Sequence, residues 1–267
     1  MHAHVQRASR APSISSEFPV RLAVILLASA WLLVILADLG GLHVVDSPFW
    51  FRLFAEGAVV EWFQWFFLAG CVIASAFLWG RAAASGRDHA RAFALLAIGF
   101  AIMLIEDSGN LRHRIGNTIV YAIYGDFEKP ETLLAKNAFE MAFYVLIASC
   151  VMLPVLRLWP RLRDAAMPRR FLGAGVACYF VAAASSATSG FGYWYEAVGS
   201  RLLALAPADP QDWSALKERL EDNVFPYTEF GHTFMDTLYE ESLELLGAAF
   251  LLAFLVRLAR STDRQLG

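Results

Sequence analysis

Ionisable residues sit at the ends of four apolar stretches in this chain. Glu61 and Gln64 open one stretch, and Glu106, Asp107, Asn110 and His113 close the next. Glu140 and Tyr144 open a third, and His232, Asp236, Glu240, Glu241 and Glu244 open the last. Glu106, Asn110 and His113 are spaced i, i+4 and i+7, the spacing of one helix face. His232, Asp236, Glu240 and Glu244 recur every four residues. In a regular helix they drift by about 40° per step and stay within a stripe of about 120°. A carboxylate facing lipid costs several kcal/mol unless it is paired, protonated or wet. The stripe is therefore expected to look into a helix bundle, together with Glu61 and Glu106.

Three kinds of chemistry would settle such a group. Arg112 and Arg114, with Arg52, can pair with it internally. The carboxylates can share protons. Or they can hold a cation, with Glu61, Gln64, Asp107, Asn110, Glu140, Tyr144 and Glu241 shaping the site. Carboxylates with imidazole suit Zn, Mn or Fe, and carboxylates with carbonyls and water suit Ca or Mg. The metal-ligand set would be His232, Asp236, Glu240, Glu244 and His113. A divalent metal there would act as Lewis acid, with Glu240 or Glu106 as general base on a lipid headgroup. No span carries Glu-x-x-His or His-x-x-x-His, so the spacing selects no particular metal.

The elements that must position these residues are membrane spans. The 267 residues are 58% hydrophobic and 18% charged, with a mean hydropathy of +0.48. Soluble domains are nearer half apolar and about a quarter charged. A bilayer core of about 30 Å needs roughly 20 apolar residues as a helix. Six stretches qualify: Leu22–Leu39, Ala58–Trp79, Ala92–Ile105, Ala138–Trp159, Phe171–Phe191 and Thr237–Leu258. The third is short and is expected to extend toward His89 or through Asn110. The first is read as a retained anchor, because Asp38-Leu39-Gly40-Gly41 is a poor cleavage site. The expected fold is an all-α six-helix transmembrane bundle with both termini cytoplasmic. Residues 1–21 form a flexible cytoplasmic tail, 22–258 one membrane domain with outer loops 107–137 and 192–236, and 259–267 a second cytoplasmic tail. Within the second loop, Asp212–Leu220 places Trp213, Leu216 and Leu220 on one face, an amphipathic helix.

Orientation follows from Lys and Arg in the short loops. Fourteen of the 22 fall on one side, among them Arg81, Arg87, Arg157, Arg169 and Arg257. That side is cytoplasmic. All but four of the 25 acidic residues fall on the opposite side or in the outer half of a span. Acidic residues contribute little to orientation, so this bias reflects what the outer face does. Phe49–Phe51, Trp62–Phe67 and Tyr193–Tyr195 suit an outer aromatic belt, and Trp79 and Trp159 an inner one.

Several classes are excluded. A net charge of −3 does not suit a nucleic-acid binder. Cys71, Cys150 and Cys178 lie in apolar runs and make neither a disulfide framework nor a four-Cys zinc site. Ala187-Thr188-Ser189-Gly190 lacks the Gly-x-Ser-Gly of an intramembrane serine protease. Gly173, Gly175, Ala177, Ala182, Ala183 and Ala184 fit close helix packing in the fifth span, and Pro154 marks a kink in the fourth. The alkaline ceramidase type of zinc hydrolase would need a terminal His-x-x-x-His, which is not here.

Glu61-Trp62-Phe63-Gln64, Glu106-Asp107 before Arg112 or Arg114, and Glu240-Glu241-Ser242-Leu243-Glu244-Leu245-Leu246-Gly247 form a pattern of three short stretches. It resembles bacterial multi-pass membrane proteins that carry acidic motifs at the outer ends of their helices. The resemblance implies no activity. Arg outnumbers Lys 19 to 3, as GC-rich bacterial genomes favour. The expected protein is a bacterial inner-membrane protein. Its extracytoplasmic carboxylate and His cavity takes a cation, a cationic small molecule or a lipid. A proton- or cation-coupled transporter and an assembly subunit with an internally salt-bridged cluster are the alternatives.

Overall fold

The structure, a computed structural model, describes residues 15–39, 49–55, 57–125, 130–162, 166–189, 193–204 and 230–264. Every element among them is helical. The first four are α1 (Phe18–Leu39), α2 (Phe49–Phe54), α3 (Val59–Ala84) and α4 (Ala90–Gly109). They are followed by α5 (Leu111–Tyr124), α6 (Pro130–Leu162), α7 (Ala166–Thr188) and α8 (Trp194–Leu203). The last helix is composite: α9 (Phe230–Phe234), a π-helical turn (Met235–Glu240) and α10 (Glu241–Arg264). Among the described residues, six helices are long and apolar enough to cross a membrane. They correspond one to one with the six stretches expected, and the protein is an all-α multi-pass membrane bundle. The third span extends at both ends, as its short apolar run required, from Ala90 to Gly109. The last begins seven residues before Thr237.

Its ends follow from local chemistry. α3 closes in a Schellman motif: the Gly86 N–H donates to Ala83 O at 3.0 Å and the Arg87 N–H to Ala82 O at 3.0 Å. Gly86 has φ +62°, which glycine adopts without Cβ strain. The tight turn lays α4 antiparallel against α3. α6 runs on through Pro154 and Pro160.

α10 is the centre of the bundle. It packs against α7, α3 and α1, while α4 packs between α3 and α6. Small residues allow the approach. A Cβ on Gly175 would meet Leu251 at 2.8 Å, one on Gly247 the Tyr179 ring at 2.7 Å, and one on Gly99 the Cys150 carbonyl at 2.7 Å. Gly173, by contrast, faces open space. The core is apolar around Leu68, Leu96, Phe100, Leu245, Phe254 and Leu255, and Cys71 is buried in it as a free thiol. Val24, Ile25, Leu32 and Leu33 on α1 and Phe66, Ile73 and Phe77 on α3 point outward from the bundle, as lipid-facing side chains do.

Candidate functional site

α3 and α6 begin, and α4 and α7 end, at the end of the bundle where α10 starts. The acidic side chains meet here. Gln64 is wholly buried on α3. Its Nε2 donates to Asp107 Oδ2 at 2.8 Å and to Glu244 Oε2 at 2.9 Å. One amide thus ties α3, α4 and α10 together. Glu61, a turn before Gln64, is also buried and accepts the backbone N–H of Gly57. Glu61, Asp107, Glu241 and Glu244 lie within electrostatic reach of one another. Hydrogen bonding among these groups is incomplete. Gln64 Oε1 and Glu241 Oε2 are buried without a hydrogen-bond partner, and so is the Tyr179 hydroxyl on α7.

The second part of the site is built by a break that the spacing argument did not foresee. Glu106, Asn110 and His113 do not share a helix face. α4 ends at Gly109, and Asn110 takes the left-handed conformation, φ 46° and ψ 44°. Asn is one of the few non-glycine residues that tolerate it. α5 starts afresh at Leu111. In an unbroken helix Glu106 and Arg112 would be about 120° apart around the axis. The break instead returns Arg112 to Glu106, Nη1 to Oε1 at 3.9 Å, with the guanidinium 4.2 Å from the Tyr144 ring centre. Burial works against the Arg112 charge, but Tyr144, Glu106, Glu244 and Glu140 outweigh it and hold its pKa above the ordinary value. Arg112 is therefore a fixed positive charge. Glu140 is buried and pairs with Lys136 at 3.5 Å, one turn earlier on α6. Arg114 is exposed, and the His113 side chain lies outside the described residues.

The third part is the entry of the last span. The four-residue ladder from His232 to Glu244 is interrupted, because i→i+5 bonding over Met235–Glu240 adds a residue to the turn. Asp236 is consequently exposed, while Glu240 is buried. The Tyr195 hydroxyl on α8 donates to Glu240 Oε1, and the Tyr195 ring stacks edge-on to His232 at 4.9 Å. Burial, then the Glu240 and Asp236 carboxylates, push the Tyr195 hydroxyl far above its ordinary pKa. It stays protonated and donates. The next residue, Glu196, accepts from the open N-terminal amides of the last helix, His232 at 2.6 Å and Gly231 at 3.3 Å.

Tyr195 and Glu196 are not part of the expected site. Tyr193–Tyr195 read as an interfacial belt, and nothing in that reading separates Tyr195 from its neighbours. The usable signal is Tyr195, Glu196, Gly199 and Ser200 at i, i+1, i+4 and i+5, a polar and small helix face. The Asp212–Leu220 helix expected in the same loop lies outside the described residues. Among the described residues, no three His, Cys, Asp or Glu side chains come together to hold a metal ion. Of the expected ligands, Asp236 is exposed, Glu240 accepts from Tyr195 and Glu244 accepts from Gln64.

The chain matches no protein-family model, no curated protein and no solved structure.

Proposed function

We propose that the acidic end of the bundle is an extracytoplasmic cation site in a bacterial inner-membrane protein, centred on Gln64 and lined by Glu61, Asp107, Glu241 and Glu244. The asymmetry of Lys and Arg along the sequence supports the orientation. One observation carries the site: the Gln64 amide spends its donors on Asp107 and Glu244, while Gln64 Oε1 and Glu241 Oε2 stay buried without partners. Buried oxygen acceptors left without partners, in a medium that cannot hydrate them, are stabilised by a cation. The donors are all carboxylate or amide oxygens. Such a set, in which no three acidic side chains among the described residues converge to hold a metal ion, favours a proton or a substrate ammonium. Arg112 stands to one side, on Glu106 and Tyr144, and would bias the site toward a single added positive charge.

A transporter would need polar groups continuing toward the basic end. The core there consists of Leu78, Leu96, Phe254 and Leu255, which favours binding over a through path. The test is thermal unfolding of the protein in neutral detergent at several concentrations of H⁺, Na⁺, Mg²⁺, Ca²⁺, Zn²⁺ and a primary amine. A ligand held only by the folded state raises the midpoint in a concentration-dependent way. The expected result is a shift with one of these cations that Glu244→Gln abolishes. Equal midpoints throughout would overturn the proposal and leave the acidic groups as internally paired structure.

A further inference from the structure

We infer that α8 is a clasp on the entry of the last span, and that Tyr195, through Glu240, closes the carboxylate site to the aqueous side. The inference rests on the reading of the carboxylates as a binding site. Four contacts bind the clasp. The buried Tyr195 hydroxyl donates to Glu240. Glu196 caps Gly231 and His232 and also accepts from Ser200. The Trp194 Nε1–H donates to Thr188 O at 2.9 Å, which anchors the start of α8 to the end of α7. Gly199 and Gly231 bring the two backbones so close that neither position has room for a Cβ.

The element grasped is the one best suited to yield. Met235–Glu240 is a π turn, a local irregularity that is common at functional sites. Glu240 ends it, and Glu241 opens α10 one residue later. A movement of the turn is thus carried directly to Glu241 and, a turn further, to Glu244. Tyr195 is well matched to holding this point. Its hydroxyl donates without bringing a charge, so it satisfies Glu240 but does not compete with a cation deeper in the site. Its ring is wholly buried and lies against His232 and Trp194. Removing the hydroxyl alone therefore leaves the ring packing in place.

Access can be read by covalent labelling of Glu241 and Glu244. The reagents are a water-soluble carbodiimide and glycine ethyl ester, applied to protein in sealed, oriented vesicles and quantified by peptide mass spectrometry. Tyr195→Phe is expected to raise the labelling rate at Glu241 and Glu244 by about fivefold. Gly199→Ala, which forces α8 off Gly231, is expected to raise it further. Circular dichroism of the same variants controls for general unfolding and should not change. Unaltered labelling in both variants would overturn the clasp. Labelling measures entry whether or not a cation binds. A failed cation screen with increased labelling would therefore refute the cation site alone, and a successful screen with unaltered labelling would refute the clasp alone.

Discussion

Glu240 and Glu244 are four residues apart on one helix and are held in opposite ways. Glu244 is tied from inside the bundle by Gln64, whose amide also holds Asp107. Glu240 is tied by Tyr195 from a short helix outside the spans. The inner carboxylate depends on three packed spans, which cannot move independently. The outer one depends on a ten-residue helix that touches the last span over one face. One helix thus carries a fixed end and a releasable end of the same polar site, with the π turn between α9 and α10 leading into it.

The largest expected effect comes from breaking the inner tie. Gln64→Leu keeps the volume but leaves Asp107 and Glu244 without their shared donor. Buried charged groups that lose a partner cost about 3 kcal/mol each. Unfolding followed by circular dichroism in mixed detergent should show the variant to be the least stable of this series. Its stability should recover when Glu244→Gln is added, because that change removes one of the two stranded charges and supplies an amide donor. An unchanged midpoint for Gln64→Leu alone would mean that the bridge contributes nothing and that α3, α4 and α10 are held by apolar packing only.

Gly231→Ala comes next. Its Cβ would meet Ser200 N, Glu196 O and the Glu196 carboxylate, and two of those three are backbone atoms that cannot step aside. Overpacking of this kind costs about 1–3 kcal/mol. The comparison predicts that the loss is local. Amide exchange should accelerate across α8 and α9 and remain protected in α10 beyond Leu245. Uniform acceleration over the whole last helix would show that the two ends are one unit.

The sequence made the spans legible because apolar run length is a direct physical requirement of the bilayer. It also made legible which end of each span is acidic, and that Gln64, Asp107 and Glu244 lie at that end. Three features were hidden to different degrees. The break at Gly109-Asn110 carries an ordinary helix-stop signal, but the i, i+4, i+7 spacing of Glu106, Asn110 and His113 argued for continuing through it. The π turn has no residue signature in Met235–Glu240, so the four-residue ladder mispositioned Asp236. α8 was masked by its aromatics, which fit a membrane interface equally well. In each case periodicity was extrapolated across a point where backbone hydrogen bonding changes, and periodicity holds only while that bonding is regular.

Arg112→Lys tests the part of the site created by the Asn110 break. Lysine keeps the charge near Glu106 but loses the planar face that lies on Tyr144. The stacking is worth about 1 kcal/mol where it is partly desolvated. The stability loss should be close to that value, smaller than for Gly231→Ala, and should vanish in a Tyr144→Leu background. A loss that persists in that background would place the contribution of Arg112 in its pairing with Glu106 instead.

The smallest effect on the carboxylate site belongs to the opposite end of the molecule. Gly86 closes the α3 Schellman motif at φ +62° and a Cβ there would meet nothing within 4 Å. Gly86→Ala therefore isolates backbone strain, about 1 kcal/mol. Gly86→Asn should recover part of this, since Asn tolerates the left-handed region, as it does at position 110. The turn lies at the basic end, a whole span away from Gln64. The comparison requires that neither substitution alter the carbodiimide labelling of Glu241 or Glu244. If labelling rose with Gly86→Ala, the releasable end would extend through α3 and α4, and the inner carboxylate would no longer count as fixed.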